Sequence, residues 1–300
     1  MIRKSFLLFI AALLSLSCIA PFAYADASPG DVIVTLGANL TPSQKDSLLK
    51  EMNVDKNNVQ IVEVTNQEEH QYLDKYLPKA QIGTRAISSA KITLGQKDSG
   101  LSVSTHNINY VSNDMYMNAL ATAGVKDAEV YVTAPFTVSG TAGLTGLIKA
   151  YEVQTGDKIP EKNKQVANEE MVTTANLAKK DGVGKEKAAE LITAIKDKIA
   201  KNPPKSDQDM QNIIQDAADQ TNVKLTNDEM NQLKELFNKM KDLNLNWDQV
   251  GHQLKSLKDK FHHFANSDEG KGFFAAISAF FAKIAEFLSQ LFHAIASFFQ

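Results

Sequence analysis

Hydrophobic and polar positions follow two different rhythms along this 300-residue chain. From residue 26 to 155 the apolar residues gather in short β-branched runs broken by turn formers, whereas from 156 onward they recur at steps of three and four. Val-Ile-Val-Thr-Leu-Gly at 32–37 predicts a buried strand. Thr41-Pro42-Ser43-Gln44 then supplies an N-cap and a proline at the first helical position, opening a helix that runs to Met52. A second strand is expected over 59–64. Asn66-Gln67-Glu68-Glu69 caps a helix over 67–77, with acids in the first turn where the helix dipole favours them. Residues 86–94 and 101–108 alternate as strands on either side of Gly95-Gln96-Lys97-Asp98-Ser99-Gly100, which reads as a hairpin. A helix over 114–123, a strand over 128–138 and a helix over 144–153 complete an α/β layer domain with a mixed sheet.

Beyond residue 156 the pattern predicts helices over 163–180, 184–201, 206–220, 227–242, 247–265 and 269–299, with breaks at Asn202-Pro203-Pro204-Lys205 and Thr226-Asn227-Asp228-Glu229. The expected fold class is therefore α+β: an α/β layer domain over 26–155, an all-helical domain over 156–268, and a long amphipathic helix over 269–300. That last stretch concentrates the phenylalanines. Phe273, Ile277, Phe280, Ile284, Phe287, Leu291, Ile295 and Phe298 follow one another at helical spacing. Phe274, Phe281, Leu288, Phe292 and Phe299 widen the stripe, and Lys283, Glu286, Gln290, His293 and Ser297 mark the polar side.

Composition adds a destination. Arg3 and Lys4, an apolar run over 6–20 and Ala23-Tyr24-Ala25 together read as a secretory signal peptide over 1–25, cleaved after Ala25. The sole cysteine, Cys18, falls inside it. A lipoprotein anchor there fits poorly, because Leu16 is two residues before Cys18 instead of three and apolar sequence continues beyond it. The mature chain would then have no thiol, which excludes disulfides, thiolate zinc sites and cysteine nucleophiles. Charge points away from nucleic acid: residues 26–155 carry fourteen acidic and ten basic side chains, residues 156–300 twenty-one and twenty. The mature chain's one arginine is Arg85, and its lysines alternate with acids, so the one-sided field that nucleic-acid binding uses is missing.

Candidate chemistry is sparse. Gly140, Gly143 and Gly146 lie between a predicted strand and a predicted helix, where backbone amides could cradle a phosphate or carboxylate. Their G-x-x-G-x-x-G spacing is neither the dinucleotide fingerprint nor a P-loop, and the competing reading is close packing of helix on sheet. Asp242, Asn244, Asn246 and Asp248 begin like a calcium loop, but Trp247 and Gln253 stand where glycine and glutamate are needed, so Asn246 or Asp248 reads better as a helix N-cap. Ser88 with Lys91 and Ser47 with Lys50 match S-x-x-K in a strand and within a helix, where that nucleophile does not occur. His262-His263 and Glu68-Glu69-His70 lack a second ligand at a helical step. No catalytic residue, metal ligand or cofactor is assigned.

Three stretches carry a family likeness: residues 30–38 (Gly-Asp-Val-Ile-Val-Thr-Leu-Gly-Ala), 81–89 (Gln-Ile-Gly-Thr-Arg-Ala-Ile-Ser-Ser) and 130–136 (Val-Tyr-Val-Thr-Ala-Pro-Phe). They resemble the YpuA-like family, exported proteins of spore-forming Gram-positive bacteria grouped as a domain of unknown function. The resemblance runs over nearly all of the mature chain. It implies export and an apolar C-terminal helix, and it supplies no activity, substrate or catalytic residue.

The expected function is that of a secreted, non-enzymatic cell-envelope protein whose C-terminal stripe contacts a membrane surface, a second copy, or its own helical domain at Leu233, Leu236, Phe237, Met240, Leu254, Phe261 and Phe264. A single membrane span is disfavoured by Lys283, Glu286 and His293. The alternative is a small-ligand-binding module or hydrolase with its site at the strand-to-helix turn 140–146.

Overall fold

The structure, a computed structural model, describes residues 27–243 and 245–259. The signal peptide and the Phe-rich stripe expected from the sequence lie outside those residues, as do Asn244, Phe261, His262, His263 and Phe264.

Ten helices and five strands are described, and six of the helices start at a side chain that accepts from an orphan backbone amide. Strand β1 (Val32–Gly37) leads through Thr41 into helix α1 (Pro42–Glu51), where Thr41 and Gln44 form a reciprocal capping box. Strand β2 (Gln60–Val64) leads into α2 (Asn66–Leu73), whose cap is Thr65 paired with Glu68, one residue before the expected Asn66. A four-residue helix that the sequence pattern did not announce, α3 (Lys79–Ile82), precedes β3 (Ser89–Leu94). Then come β4 (Leu101–Thr105), α4 (Asn113–Ala123) capped by Ser112, β5 (Ala128–Thr133) and α5 (Thr141–Thr155). The remaining chain is helical: α6 (Glu161–Leu177), α7 (Gly184–Lys201), α8 (Asp207–Gln220), α9 (Asn227–Lys241) and α10 (Trp247–Gln253).

The sheet is mixed, in the order β2-β1-β3-β5-β4. β1 runs parallel to β2 and β4 parallel to β5, while β3 is antiparallel to both β1 and β5. The hairpin expected between β3 and β4 is therefore split. Ala128 of β5 faces Leu94 on one side and Leu101 on the other, so β5 lies between them. The connection must span two strand spacings, about 10 Å, which six residues with a reach of roughly 20 Å cover easily. Asp127 fastens the span: its carbonyl accepts from Gly95 N at 2.6 Å and its carboxylate from Gly100 N at 2.9 Å. Polarity explains the exchange. Val130 and Val132 are fully buried, as a central strand requires, whereas Ser102 and Ser104 of β4 are exposed and suit an edge.

One sheet face takes α1, through Val34, Leu36, Leu48, Leu49 and Met52. The other carries Ile33, Ile92, Val130 and Val132 against α4 and α5. That second core does not stop at residue 155. Ala167, Met171, Val172 and Ala175 of α6, with Val250, Leu254 and Leu257, belong to it as well. The texture change at 156 marks where strands end and lies within continuous packing. A second core of α7, α8 and α9 joins the other side of α6 through Val166 and Leu177.

Candidate functional site

Helix α5 begins where the sequence placed its glycine-rich turn. Gly140 holds a left-handed φ of 90° as the N-cap, and an added Cβ would lie 2.5 Å from Ile108 Cγ2. A Cβ on Gly143 would lie 2.6 Å from Tyr116 Oη and 2.9 Å from Val132 Cγ1; one on Gly146 would lie 2.9 Å from Thr35 Oγ1. The three glycines thus bring α5 down onto the sheet and α4. Tyr116, fully buried, donates its hydroxyl to the Gly140 carbonyl. The helix start already has a carboxylate beside it. Glu69 of α2, 2% exposed, accepts from Thr141 Oγ1 at 2.5 Å, and burial raises its pKa against the pull of Thr141 and Asn66.

From one turn further along α5, a cavity of about 230 Å³ opens between α2, α5 and α6. Its rim is built from charges that pair off. Lys149 Nζ lies 2.6 Å from Glu68 Oε1, and Lys164 Nζ lies 2.8 Å from Glu152 Oε2. Each acid is also committed to the backbone: Glu68 Oε2 accepts from Thr65 N at 2.8 Å and Glu152 Oε1 from Ile159 N at 2.8 Å. Burial works to raise the Glu68 pKa, but Lys149 and Thr65 outweigh it and hold the carboxyl low. Tyr72 and buried Ile148 supply apolar wall, and the Tyr72 hydroxyl donates to Glu161 Oε2 at 3.2 Å. Burial, reinforced by Glu161, pushes that hydroxyl up to about 12, so it stays a donor at any physiological pH.

Two residues of the lining carry a buried oxygen without a hydrogen-bond partner, Thr145 Oγ1 and Asn168 Oδ1, and neither oxygen is open to the cavity. Thr145 is 5% exposed and Asn168 0%. The Asn168 amide nitrogen donates to Lys164 O at 2.8 Å, which fixes the orientation of the group and leaves its oxygen as the unpartnered end. Buried polar atoms without partners are rare and usually mark strain or a ligand.

A wider groove of about 720 Å³ lies between α7 and α10, lined by Asp197, Trp247, His252, Lys255 and Lys258. It is broad and its central acid is occupied, since Asp197 pairs with Lys201 at 2.6 Å and Lys258 at 2.9 Å. Volume alone favours the groove. The smaller cavity is the more enclosed of the two and is the better candidate.

Other residues singled out in the sequence find local roles. Asn246 caps α10, accepting from Gln249 N at 3.0 Å. Lys91 donates to Met52 O at 3.0 Å and Ser47 to Ser43 O at 2.9 Å. His70 lies between Asp74 at 2.5 Å and Gly83 O at 2.9 Å. Thr145 lay within the stretch singled out as a turn, but Asn168 was overlooked. It sits four residues before Val172 on a buried stripe, and a polar residue at an apolar phase was the available signal.

Comparison with known proteins covers most of the chain. Residues 36–257 match the family described as "Protein of unknown function (DUF1002)". The chain is similar to the "Uncharacterized protein YpuA" of Bacillus subtilis (strain 168), with 52% identity over 291 residues, covering 97% of this chain and 99% of the relative. No solved structure matches.

Proposed function

We propose that this chain, which belongs to the DUF1002 family, is an exported, non-enzymatic protein of the cell envelope that rests on a membrane surface through its Phe-rich C-terminal segment. The observation that carries this reading is the stripe from Phe273 to Phe299, whose apolar side chains would each gain about 1.5–3 kcal/mol on leaving water. Lys283, Glu286 and His293 on its opposite side suit a helix lying in the interface better than one crossing the bilayer. Packing supports an external surface over the protein's own. Leu233, Leu236, Phe237 and Met240 are already engaged with α7 and α8, and Leu254 with the core under the sheet. The large apolar side chains left exposed among the described residues are Phe136 and Val153, which are too few to shelter the stripe.

The test compares the full exported chain with a truncation ending at Ser267. Co-sedimentation of the full chain with anionic liposomes, lost on truncation while the unfolding transition is unchanged, is the expected result. If the full chain stays in the supernatant, the membrane assignment fails. A truncation that no longer unfolds cooperatively would mean docking on its own body, and a concentration-dependent mass without lipid would mean self-association. N-terminal sequencing of the secreted protein should begin at Asp26.

A further inference from the structure

We infer that His70 is a pH-operated clasp: its doubly protonated ring ties α2 to the strap formed by residues 78–85, and loss of one proton lets that strap open. The inference is independent of membrane attachment.

An oxygen faces each ring nitrogen. Nδ1 lies 2.5 Å from Oδ1 of Asp74, the residue that ends α2, and Nε2 lies 2.9 Å from the Gly83 carbonyl. A carboxylate and a carbonyl can only accept, so both nitrogens must donate, and a neutral ring has one N–H to give. The imidazolium is the form that makes both bonds. Turning the ring over would set a carbon against each oxygen. The Asp74 bond and then the Gly83 bond accordingly raise the His70 pKa from 6.5, against the pull of burial.

The charges that reach the ring are Asp74 and Glu69. Glu69 is committed on both oxygens, to Thr141 and to Asn66. The helices packed on α2 bring charges that close elsewhere: Lys149 of α5 pairs with Glu68, and on α6 Lys164 pairs with Glu152, Glu169 with Lys239, and Glu161 accepts from Tyr72. Lys75, Lys79 and Arg85 are exposed, and Arg85 donates to Asn39 O at 3.4 Å. No other titration is needed to operate the clasp.

The strap depends on this tie. Helix α3 within it is a single turn with no side-chain cap and one buried side chain, Ile82. A helix that short does not sustain itself in water. Beyond it Ala86 N donates to Asn39 Oδ1 at 2.9 Å, while Gly83 O takes His70 at 2.9 Å and Asn66 only at 3.4 Å. When the ring loses a proton, the charge-assisted bond to Asp74 is the stronger and keeps the one that remains. Nε2 then turns a lone pair on the Gly83 carbonyl, and the weak Asn66 bond is left alone. The closed strap thus holds a proton that the open strap releases. Its hold is complete below 6.5 and is lost as the pH rises through the raised His70 value.

The experiment uses the full exported chain, with histidine ring titrations followed by NMR and amide exchange of residues 79–85 by mass spectrometry, from about pH 6 to about pH 9. The His70 ring, identified by its absence in His70→Gln, should titrate above 6.5. Protection of 79–85, corrected for intrinsic exchange, should fall across that titration by up to about tenfold per pH unit. It should also stay below that of Val32–Gly37 throughout, the mark of local opening. In His70→Gln the strap should be poorly protected at every pH. Asp74→Asn should draw the His70 titration back toward 6.5 and remove most of the pH dependence. The Asp74 side chain is 40% exposed, so this variant carries the test even if His70→Gln fails to fold. The assignment is overturned if His70 titrates at or below 6.5, if protection of 79–85 is flat across its titration, if the strap exchanges only together with Val32–Gly37, or if the pH dependence survives in either variant.

Discussion

Lys196 occupies a position that helix periodicity reserves for an apolar side chain, between Ile192 and Ile199 on the buried face of α7. Its ammonium lies 2.6 Å from Glu170 and donates to Asn118 O at 2.7 Å, and Thr122 donates to the same carboxylate at 2.5 Å. Burial lowers the Lys196 pKa, with Glu170 pulling the other way. Removing one partner of such a pair strands the other, so Lys196→Met should cost about 3–5 kcal/mol in urea unfolding. Adding Glu170→Gln to it should recover part of that loss. A second titratable group sets a pH slope. Burial, opposed by Lys187 and reinforced by Glu186, pushes the Glu190 carboxyl from 4.5 up to about 7. The folded chain therefore holds this proton where the unfolded chain has released it. Its contribution is complete below pH 4.5 and is lost as the pH rises through about 7. Urea midpoints measured across that window should fall in the wild type, and Glu190→Gln should flatten the slope. In the sequence, Glu170 and Lys196 stand as charges at apolar phases, a signal that the reading of the pattern passed over. Their pairing was not visible there, because it depends on how three helices meet.

Helix α5 shows how an element is placed by what its residues lack. With hydrogen in place of a methyl at Gly143, the helix backbone approaches Tyr116 and Val132 closely enough that a Cβ would intrude at 2.6 and 2.9 Å. Gly143→Ala should therefore destabilise by about 1–3 kcal/mol through overpacking, as read from the urea midpoint. At this scale much was legible. Val32–Gly37 and Gly184–Lys201 fall where the pattern put them, the Thr41 cap sits at its signalled position, and Thr226, read as part of a break between helices, caps the second of them. The caps are local chemistry, so local sequence reports them. The partner of β3 was not legible, since six polar residues serve a tight turn or a wide span equally well and only the competition between β4 and β5 for the centre decides.

Across the whole molecule, α6 is the member that the linear pattern could not place. One side of it packs with the sheet's core through Met171 and Val172, and the other meets the helical core through Val166 and Leu177. A sequence window sees only that strands stop before it, which reads as a boundary. The cavity beside it was equally hidden, because Thr145 and Asn168 come from helices that meet only after folding. The inserted position of β5 has a consequence in time. A chain emerging N-terminus first from a ribosome or a translocation channel delivers β3 and β4 before the strand that separates them. Until Ala128–Thr133 has emerged, neither can take its final neighbour on that side, so the sheet stays unfinished until more than forty per cent of the 300 residues are out. A polypeptide that cannot close early remains threadable for longer, which would suit the passage through a membrane pore that the proposed export requires.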